Sequence, residues 1–294
     1  MKCMLNIAGV GKTYVFESNG FLWPFFKAYF GSNVRKVDTY TKVAVVVAFK
    51  IHYTGDNEIL LRHDECRYSL SIPAIKIFRA FIRSMYQLMN PNSNTIGLFE
   101  YFVYLIRKSF LEPLELELAT NAYLLIHGAV LSKNTNDAIL LVAGSQGGKS
   151  TVSKMLGEQG FRIVGDNYAF FNGDKVMTVP ECRRYGKPRR FAFSFYAKGV
   201  HDAPKPEWLK IRKVFILSFA DRFAVTQLTR DSVKQKLISL YMVEKEGCFH
   251  HEYGVVESNF NQFACNLQSN DLFELTMIKD LEKTEQYLKE LFCD

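Results

Sequence analysis

Apolar residues recur with two different periods along the first 120 positions. Stretches rich in β-branched, aromatic and aliphatic residues predict strands over residues 13–17, 41–53 and 58–62. Between Ile75 and Met89 the apolar spacing changes to three or four residues, which is typical of an amphipathic helix, and residues 96–110 predict another. We therefore expect a smaller α+β region over residues 1–120.

The remaining residues, 121–294, alternate short apolar runs with helical segments. Apolar runs at 123–131 and 138–143 flank a polar turn and predict two neighbouring strands. A loop with glycines, a helical segment over 150–158 and a third apolar run follow, which is the order of a β-α-β unit. Later segments predict one strand and two helices, at 213–219, 231–243 and 280–292. The pattern indicates an α/β domain.

Length and composition are those of an ordinary globular protein. The chain has 294 residues, of which 48% are hydrophobic and 23% charged, and these values exclude a wholly disordered or collagen-like protein. The formal net charge is +7. Ten Lys and Arg residues stand against two acidic residues between Arg183 and Lys213, so the surplus is concentrated there. This distribution favours a local site for an anionic partner over a diffuse coat for nucleic acid.

The sequence also bears on the compartment. No stretch approaches the roughly 20 apolar residues of a transmembrane helix, and the first residues make a poor signal peptide. Six cysteines are scattered along the chain without a Cys-x-x-Cys pair. In a chain of this length we expect no disulfide framework, a reducing cytoplasm and no membrane partner.

Two segments contain Gly-Lys followed by Thr or Ser, and their surroundings differ. A phosphate-binding loop needs an apolar strand before it and a helix after it, because backbone N–H groups at the start of the helix bind the phosphates. Residues 9–13 (GVGKT) run into a Tyr-Val-Phe sequence that favours a strand, so we interpret them as a glycine bend. Residues 143–151 (AGSQGGKST) have the required context and spacing, with Ala143 in place of the usual first glycine.

Two polar residues are expected near this second loop. Asp166 follows the apolar run 162–164, and ligands of parallel sheets lie beyond the carboxyl ends of the strands. Asp166 could there hold Mg²⁺ or accept a proton, and a turn with Asn167 is the alternative. His127 lies on the strand before the loop strand and could face the same site, although a histidine among apolar residues is also typical of a hydrogen-bonded core residue.

Taken together, these residues resemble the HPr serine kinase family and its relatives, the HPr-kinase-like kinases of peptides and of free serine. That family has a His-Gly strand, a polar turn, an apolar strand, a G-x-S-G-x-G-K-S/T loop, a helix and a strand that ends in two acids. The corresponding segments here read IHGAVL, ILLVAGSQGGKST and EQGFRIVGDN, within residues 125–181. Asn167 stands where the family has its second acid.

The resemblance implies a P-loop nucleotide-binding domain of the HPr-kinase/PEP-carboxykinase-like fold over residues 121–294, with ATP and Mg²⁺ as cofactors. Lys149 would contact the β- and γ-phosphates, Ser150 and Asp166 would ligate Mg²⁺, and Asp166 would act as the base toward the acceptor hydroxyl. His127 matches the family's active-site histidine. The residues expected to bind the nucleotide are Gly144, Ser145, Gln146, Gly147, Gly148, Lys149, Ser150 and Thr151.

Two further clusters contain side chains that could bind a ligand, one of Lys and Arg and one of Cys, His and Glu. Five Lys and Arg residues lie between positions 183 and 190, and we expect Arg189 and Arg190 to bind nucleotide phosphate or an acidic acceptor, with a solvated basic loop as the alternative. No recognisable nucleic-acid-binding motif is present, so we expect no nucleic-acid partner. Cys248, His250, His251 and Glu252 fit no spacing typical of a structural zinc site.

The sequence therefore predicts a cytoplasmic, ATP- and Mg²⁺-dependent kinase that transfers the γ-phosphate to a serine-type hydroxyl. The acceptor could be a peptide, a protein or a small molecule. The sequence leaves open whether the chain forms a homo-oligomer. One alternative is a nucleotide-binding regulatory or assembly module without phosphotransfer, which Ala143 and Asn167 favour. Another is a PEP-carboxykinase-like enzyme, for which the sequence lacks an evident second metal cluster.

Overall fold

A computed structural model of the chain describes most of its elements. The described residues are 2–7, 12–17, 22–38, 45–52, 60–64, 67–89, 101–102, 105–106, 123–134, 136–144, 146–179, 183–184, 200–201, 207–245, 253–267 and 271–292. The chain divides into two compact units. The first comprises Met1–Leu114 and Pro180–Lys205, and the second comprises Glu115–Val179 and Pro206–Asp294.

The first unit contains a six-stranded sheet. Its strands are β1 (Lys2–Ile7), β2 (Lys12–Glu17), β3 (Val34–Val37), β4 (Val45–His52), β5 (Leu60–Asp64) and β6 (Arg67–Pro73), in the order β3-β1-β2-β4-β6-β5. Its helices are α1 (Trp23–Phe30), followed by a 3₁₀ turn at Gly31–Asn33, and α2 (Ala74–Met89).

Aromatic side chains form the core of this first unit. Tyr14, Val15 and Phe16 of β2 are fully buried. The ring centroid of Phe16 lies 4.9 Å from that of Phe26 and 5.7 Å from that of Phe30, both on α1. The strand and helix predictions for this unit are confirmed where the residues are described, at β2, β4, β5 and α2. In the segment 96–110, the described residues 101–102 and 105–106 are helical.

The next strands along the chain are β7 (Leu124–Ser132), β8 (Asp137–Val142), β9 (Arg162–Gly165), β10 (Tyr168–Asn172), β11 (Lys175–Thr178), β12 (Arg183–Arg184), β13 (Val200–His201), β14 (Leu209–Phe219), β15 (Ala224–Gln227) and β16 (Leu272–Met277). The short strands β12 and β13 pair with each other in the first unit. The other eight form the sheet of the second unit. Its helices are α3 (Lys149–Glu158), α4 (Arg230–Lys245), α5 (Tyr253–Asn266) and α6 (Leu281–Phe292).

The sheet of the second unit mixes parallel and antiparallel pairs. Its order is β11-β10-β7-β8-β14-β16-β15, and β9 also pairs with β7. β8, β14 and β16 are mutually parallel neighbours, whereas β7 is antiparallel to β8, β9 and β10. β8 and β9 therefore run in the same direction with β7 between them, so the predicted β-α-β unit is present with one intervening strand. The α/β class predicted for this region is confirmed at that level.

Helices cover both faces of this sheet. On one face, called the α3 face here, Ala129, Leu141 and Phe215 pack with Val152 and Leu156 of α3, and α6 completes the same core. The opposite face packs against α4 and α5. Because side chains alternate between faces along each strand, the pairing register assigns every sheet residue to one face. In the part of the chain that the structure describes, no helix is long and apolar enough to span a membrane.

Candidate functional site

The glycine-rich loop predicted from the sequence joins the carboxyl end of β8 to the amino end of α3. The helix begins at Lys149, and Val152 N–H donates its first backbone hydrogen bond to Gly148 O at 2.9 Å. Gly148 has φ 84°, a left-handed conformation that favours glycine, and Gln146 has φ 62°. The backbone N–H groups that precede the first helical bond are not used by the helix, and they make its N-terminus a ready site for anions.

Close packing excludes a side chain at Gly147. A Cβ atom on Gly147 would lie 2.5 Å from Ala143 Cβ and 2.9 Å from Gly144 O. The amide of Gly147 already donates a hydrogen bond to Gly144 O at 3.0 Å, so the loop turns back tightly on itself. Ala143, which departs from the usual glycine, packs into the core of the α3 face and is accommodated because its neighbour Gly147 has no side chain.

Lys149 lies over this loop. Its side chain is buried, and Nζ donates hydrogen bonds to Ala143 O at 2.6 Å and to Gly144 O at 3.0 Å. The two carbonyl groups hold the ammonium group against the loop. An anion bound to the loop would compete with these carbonyls for the ammonium hydrogen bonds. Ser150 and Thr151, on the first turn of α3, are exposed.

The sheet brings several strand ends to the same edge as the loop. β14 and β16 are parallel to β8, so their carboxyl ends lie on the side where the loop begins. β7 runs antiparallel to β8 with Gly128 opposite Val142, and His127 therefore lies level with the first loop residue, Ala143. A Cβ on Gly128 would lie 3.1 Å from Leu140 Cδ1 and 3.2 Å from Leu141 O, so the two strands approach closely there.

A β-bulge decides which face Asp166 occupies. Ile163 pairs with Leu131, but Gly165 pairs with Val130, so β9 carries one extra residue, Val164, at this point. After the bulge, Asn167 O accepts a hydrogen bond from Gly128 N–H at 3.0 Å, which places Asp166 opposite Ala129.

Residues directly opposite in an antiparallel pair share a face. Ala129 belongs to the core of the α3 face, so Asp166, which is half-buried, lies on that face. His127 and Tyr168 are also directly opposite each other, and their rings stack at 5.1 Å with an interplanar angle of 21°. The odd-numbered positions 127, 129 and 131 share the α3 face. The structure therefore gathers His127, Tyr168 and Asp166 on the α3 face, near the carboxyl end of β8 where the loop begins.

Other predicted site residues cannot be placed in this way. Ser145, Arg189 and Arg190 lie outside the described residues, as does the cluster Cys248, His250, His251 and Glu252. Among the described residues, no group of three or more His, Cys, Asp or Glu side chains is arranged to hold a metal ion.

Three residues near the candidate site were not predicted from the sequence. Tyr168 stacks on His127, and Phe219 and Met277 end β14 and β16 beside Gly148. Phe219 closes the strand predicted over residues 213–219, so its position at the carboxyl end of a strand was available as a signal. Met277 is the last residue of β16, and because this strand was not predicted from the sequence, Met277 was not marked as a strand end.

Comparison with protein-family models found no family that matches the chain, and comparison with curated proteins found no similar sequence.

Proposed function

We propose that this protein is an ATP- and Mg²⁺-dependent kinase of the HPr-kinase-like type, which transfers the γ-phosphate to a hydroxyl group. The observation that carries the proposal is the loop between β8 and α3, where a buried lysine lies against the loop carbonyls at the N-terminus of a helix. A strand, a tight glycine loop, a lysine and a helix in this order are the parts of a phosphate-binding loop.

The loop supports triphosphate binding through two sources of positive charge. The amino end of α3 presents backbone N–H groups and the positive end of the helix dipole. Lys149 supplies a full charge, and in the bound state its Nζ would exchange the carbonyls of Ala143 and Gly144 for β- and γ-phosphate oxygens. A charge-assisted hydrogen bond to phosphate is stronger than one to a neutral carbonyl, so this exchange favours binding.

Ser150 and Asp166 fit a Mg²⁺ ion that accompanies the nucleotide. Both offer oxygen donors, which this ion prefers, and Mg²⁺ is ordinarily bound by one or two protein groups together with phosphates and water. Ser150 is exposed on the first turn of α3, and Asp166 lies on the same face of the sheet. The ion would neutralise charge on the transferring phosphate.

Asp166 and His127 are the groups that we assign to the acceptor. Asp166 would orient the acceptor hydroxyl and take its proton, while the imidazole of His127 would donate a hydrogen bond to the phosphate. Phosphoryl transfer requires little covalent chemistry from the protein, so most of the rate enhancement would come from positioning and charge neutralisation. The acceptor is a serine-type hydroxyl of a peptide, a protein or a small molecule.

The test is phosphate transfer from [γ-³²P]ATP with Mg²⁺ to free serine and to serine-containing peptides. We expect labelling of an acceptor by the wild-type protein and its loss in Asp166→Ala. Asp174→Ala is the matched control, because Asp174 makes an exposed ion pair with Lys210 at 3.8 Å in the same unit. ATP binding with no labelled acceptor and no difference between the two variants would sink the kinase proposal.

Asn167 favours a second candidate, a nucleotide-binding module without phosphotransfer. The residue stands where the resembling family has its second acid, and its backbone carbonyl is used structurally by Gly128 N–H. Such a module would bind ATP through Lys149 but transfer no phosphate. The variant Asn167→Asp discriminates between the two, because added carboxylate charge would raise transfer in a kinase and would leave a binding module inactive.

A further inference from the structure

The loop divides the edge of the sheet into two chemically different sides. On the side of β7 and β10 lie the polar residues His127, Tyr168 and Asp166. On the side of β14 and β16 lie two apolar residues, Phe219 and Met277. The strand order fixes this arrangement, since β8 with its loop stands between β7 and β14.

Phe219 is the more accessible of these two apolar residues. Its side chain is 47% exposed, whereas Met277 is 2% exposed. Phe215 and Leu217 belong to the core of the α3 face, and Phe219 continues their alternation on the same face at the end of β14. Its Cζ and Cε2 atoms lie 3.1 and 3.5 Å from the point where a Cβ on Gly148 would stand. The ring therefore lies against Gly148, the residue that precedes the first residue of α3.

The ring differs from its neighbours in having an available face. Phe223, four residues later, stacks on Tyr287 at 4.6 Å, and Phe215 stacks on Phe273 at 5.3 Å. In the described part of the chain no aromatic ring stacks on Phe219. A large apolar side chain that is half exposed at the edge of a proposed binding site is a candidate contact for a ligand.

The polar residues on one side of the loop and the apolar residues on the other determine which way a bound nucleotide would lie across it. If the γ-phosphate points to Asp166 and His127, the α-phosphate and the nucleoside leave the loop on the opposite side. That side is the one formed by the carboxyl ends of β14 and β16, where Phe219 lies. A nucleobase stacks on an aromatic ring without needing a hydrogen-bond partner, because every base has a π-face.

We infer that Phe219 is the stacking surface for the nucleobase of the bound nucleotide. This inference rests on the proposed function, because it takes the loop as the triphosphate site and Asp166 as the group at the γ-phosphate. It adds a base-binding subsite and its chemistry: apolar, aromatic and tolerant of base identity, so that ATP and GTP bind with similar dependence on the ring.

The experiment compares ATP, GTP and inorganic triphosphate, each with Mg²⁺, by isothermal titration calorimetry. In Phe219→Ala we expect ATP and GTP to bind roughly 5- to 100-fold more weakly, while triphosphate binds as in the wild type. Triphosphate reports on the loop alone, so it separates loss of the stacking surface from damage to the loop. Phe78→Ala is the matched control, since Phe78 is 56% exposed in the first unit, and it should change none of the three affinities.

A second variant keeps the test independent of the alanine substitution. In Phe219→Trp the introduced indole retains an aromatic face, so ATP affinity should be kept, and its fluorescence should be quenched by ATP but not by triphosphate. Equal weakening of ATP and triphosphate in Phe219→Ala, or no change in either, would overturn the inference while leaving the proposed function in place. Absence of both ATP and triphosphate binding in the wild-type protein would overturn the proposed function and the inference with it.

Discussion

Two segments of this protein carry nearly the same three letters, Gly-Lys-Thr at positions 11–13 and Gly-Lys-Ser at 148–150, and they adopt different structures. Lys12 opens strand β2, whereas Lys149 opens helix α3. In the first segment three consecutive residues, Tyr14, Val15 and Phe16, are buried in a sheet core. In the second segment burial alternates with exposure at helical spacing. The tripeptide itself therefore determines neither the local structure nor a binding site.

The neighbouring residues explain the difference. After Lys12 come Tyr14, Val15 and Phe16, whose branched and aromatic side chains favour a strand that is covered on both sides. After Lys149 the apolar residues Val152, Met155 and Leu156 follow at three- and four-residue spacing and pack on one face of the sheet. A phosphate loop needs backbone N–H groups that no neighbouring strand uses, and a helix start supplies them.

The largest expected effect tests whether the first segment is purely structural. Phe16→Ala removes a fully buried ring that packs against Phe26 and Phe30, so we expect the free energy of unfolding to fall by about 3–5 kcal/mol. Urea denaturation followed by circular dichroism measures it. Phe78→Ala, at an exposed position, should change stability by less than about 0.5 kcal/mol. Equal stability of both variants would contradict the core assignment of the first segment.

The next test compares the two lysines directly. Lys149→Ala should weaken ATP binding by about 10- to 150-fold, because it removes a charged donor to phosphate that contributes roughly 1.5–3 kcal/mol. Lys12→Ala should leave the affinity unchanged, since Lys12 lies in the strand that pairs with β1. Calorimetric titration of ATP into each variant measures the difference. A similar loss in both variants would show that the tripeptide, and not its surroundings, confers binding.

A third test separates two costs of a side chain at Gly148, the strain of the left-handed backbone conformation and the steric clash with neighbouring side chains. Gly148 and Gly160 both have a positive φ, of 84° and 91°. Alanine at either position costs about 1–2 kcal/mol of unfolding free energy for the left-handed conformation. Only at Gly148 would the added Cβ also meet neighbours, Met277 Cε at 2.8 Å and Phe219 Cζ at 3.1 Å, whereas Gly160 has none within 4 Å. We expect Gly148→Ala to be the less stable of the two in thermal melts, and the reverse order would contradict the packing described at the loop.

The smallest expected effect concerns helix α4, whose residue Leu240 has its Cδ2 atom 3.6 Å from the point where a Cβ on Gly144 would stand. Burial raises the pKa of the neighbouring Tyr241 to about 12. The folded state therefore keeps a proton that the unfolded chain loses near pH 10, and stability falls as the pH rises from about 10 to 12. At pH 11 this loss is about 1.4 kcal/mol, and Tyr241→Phe should remove it. If urea titrations show the same fall in unfolding free energy between about pH 10 and 12 for Tyr241→Phe as for the wild type, the assignment of this loss to Tyr241 is wrong.

Much of the fold follows from the sequence. Apolar spacing predicted β2, β7, β8, β14, α2, α3, α4 and α6 near their observed bounds. One of the strands that were missed lacks such a signal: β15 is exposed along its whole length, and it pairs with β16. Helix α5 was also missed, although it buries Phe260 and Phe263 against the sheet.

The candidate site was predictable only in part, for a related reason. Chain order placed the loop between an apolar strand and a helix, and this is a local property that residues 138–158 determine among themselves. Tyr168 and Phe219 reach the site through pairing with strands that are distant in sequence, at His127 and at the end of β14 beside β8. The local pattern marks Phe219 as the end of a strand, but it does not contain the pairing of that strand with β8.

The sequence by itself determined that the second Gly-Lys segment opens a helix after a buried strand, because glycine conformations and apolar spacing act over a few residues. Only the tertiary structure decided where Asp166 lies. Without the extra residue Val164 in β9, a period of two would have placed Asp166 on the face opposite to α3. The bulge exists only in the pairing of β9 with β7, so the face that Asp166 occupies depends on a partner strand about thirty residues earlier in the chain.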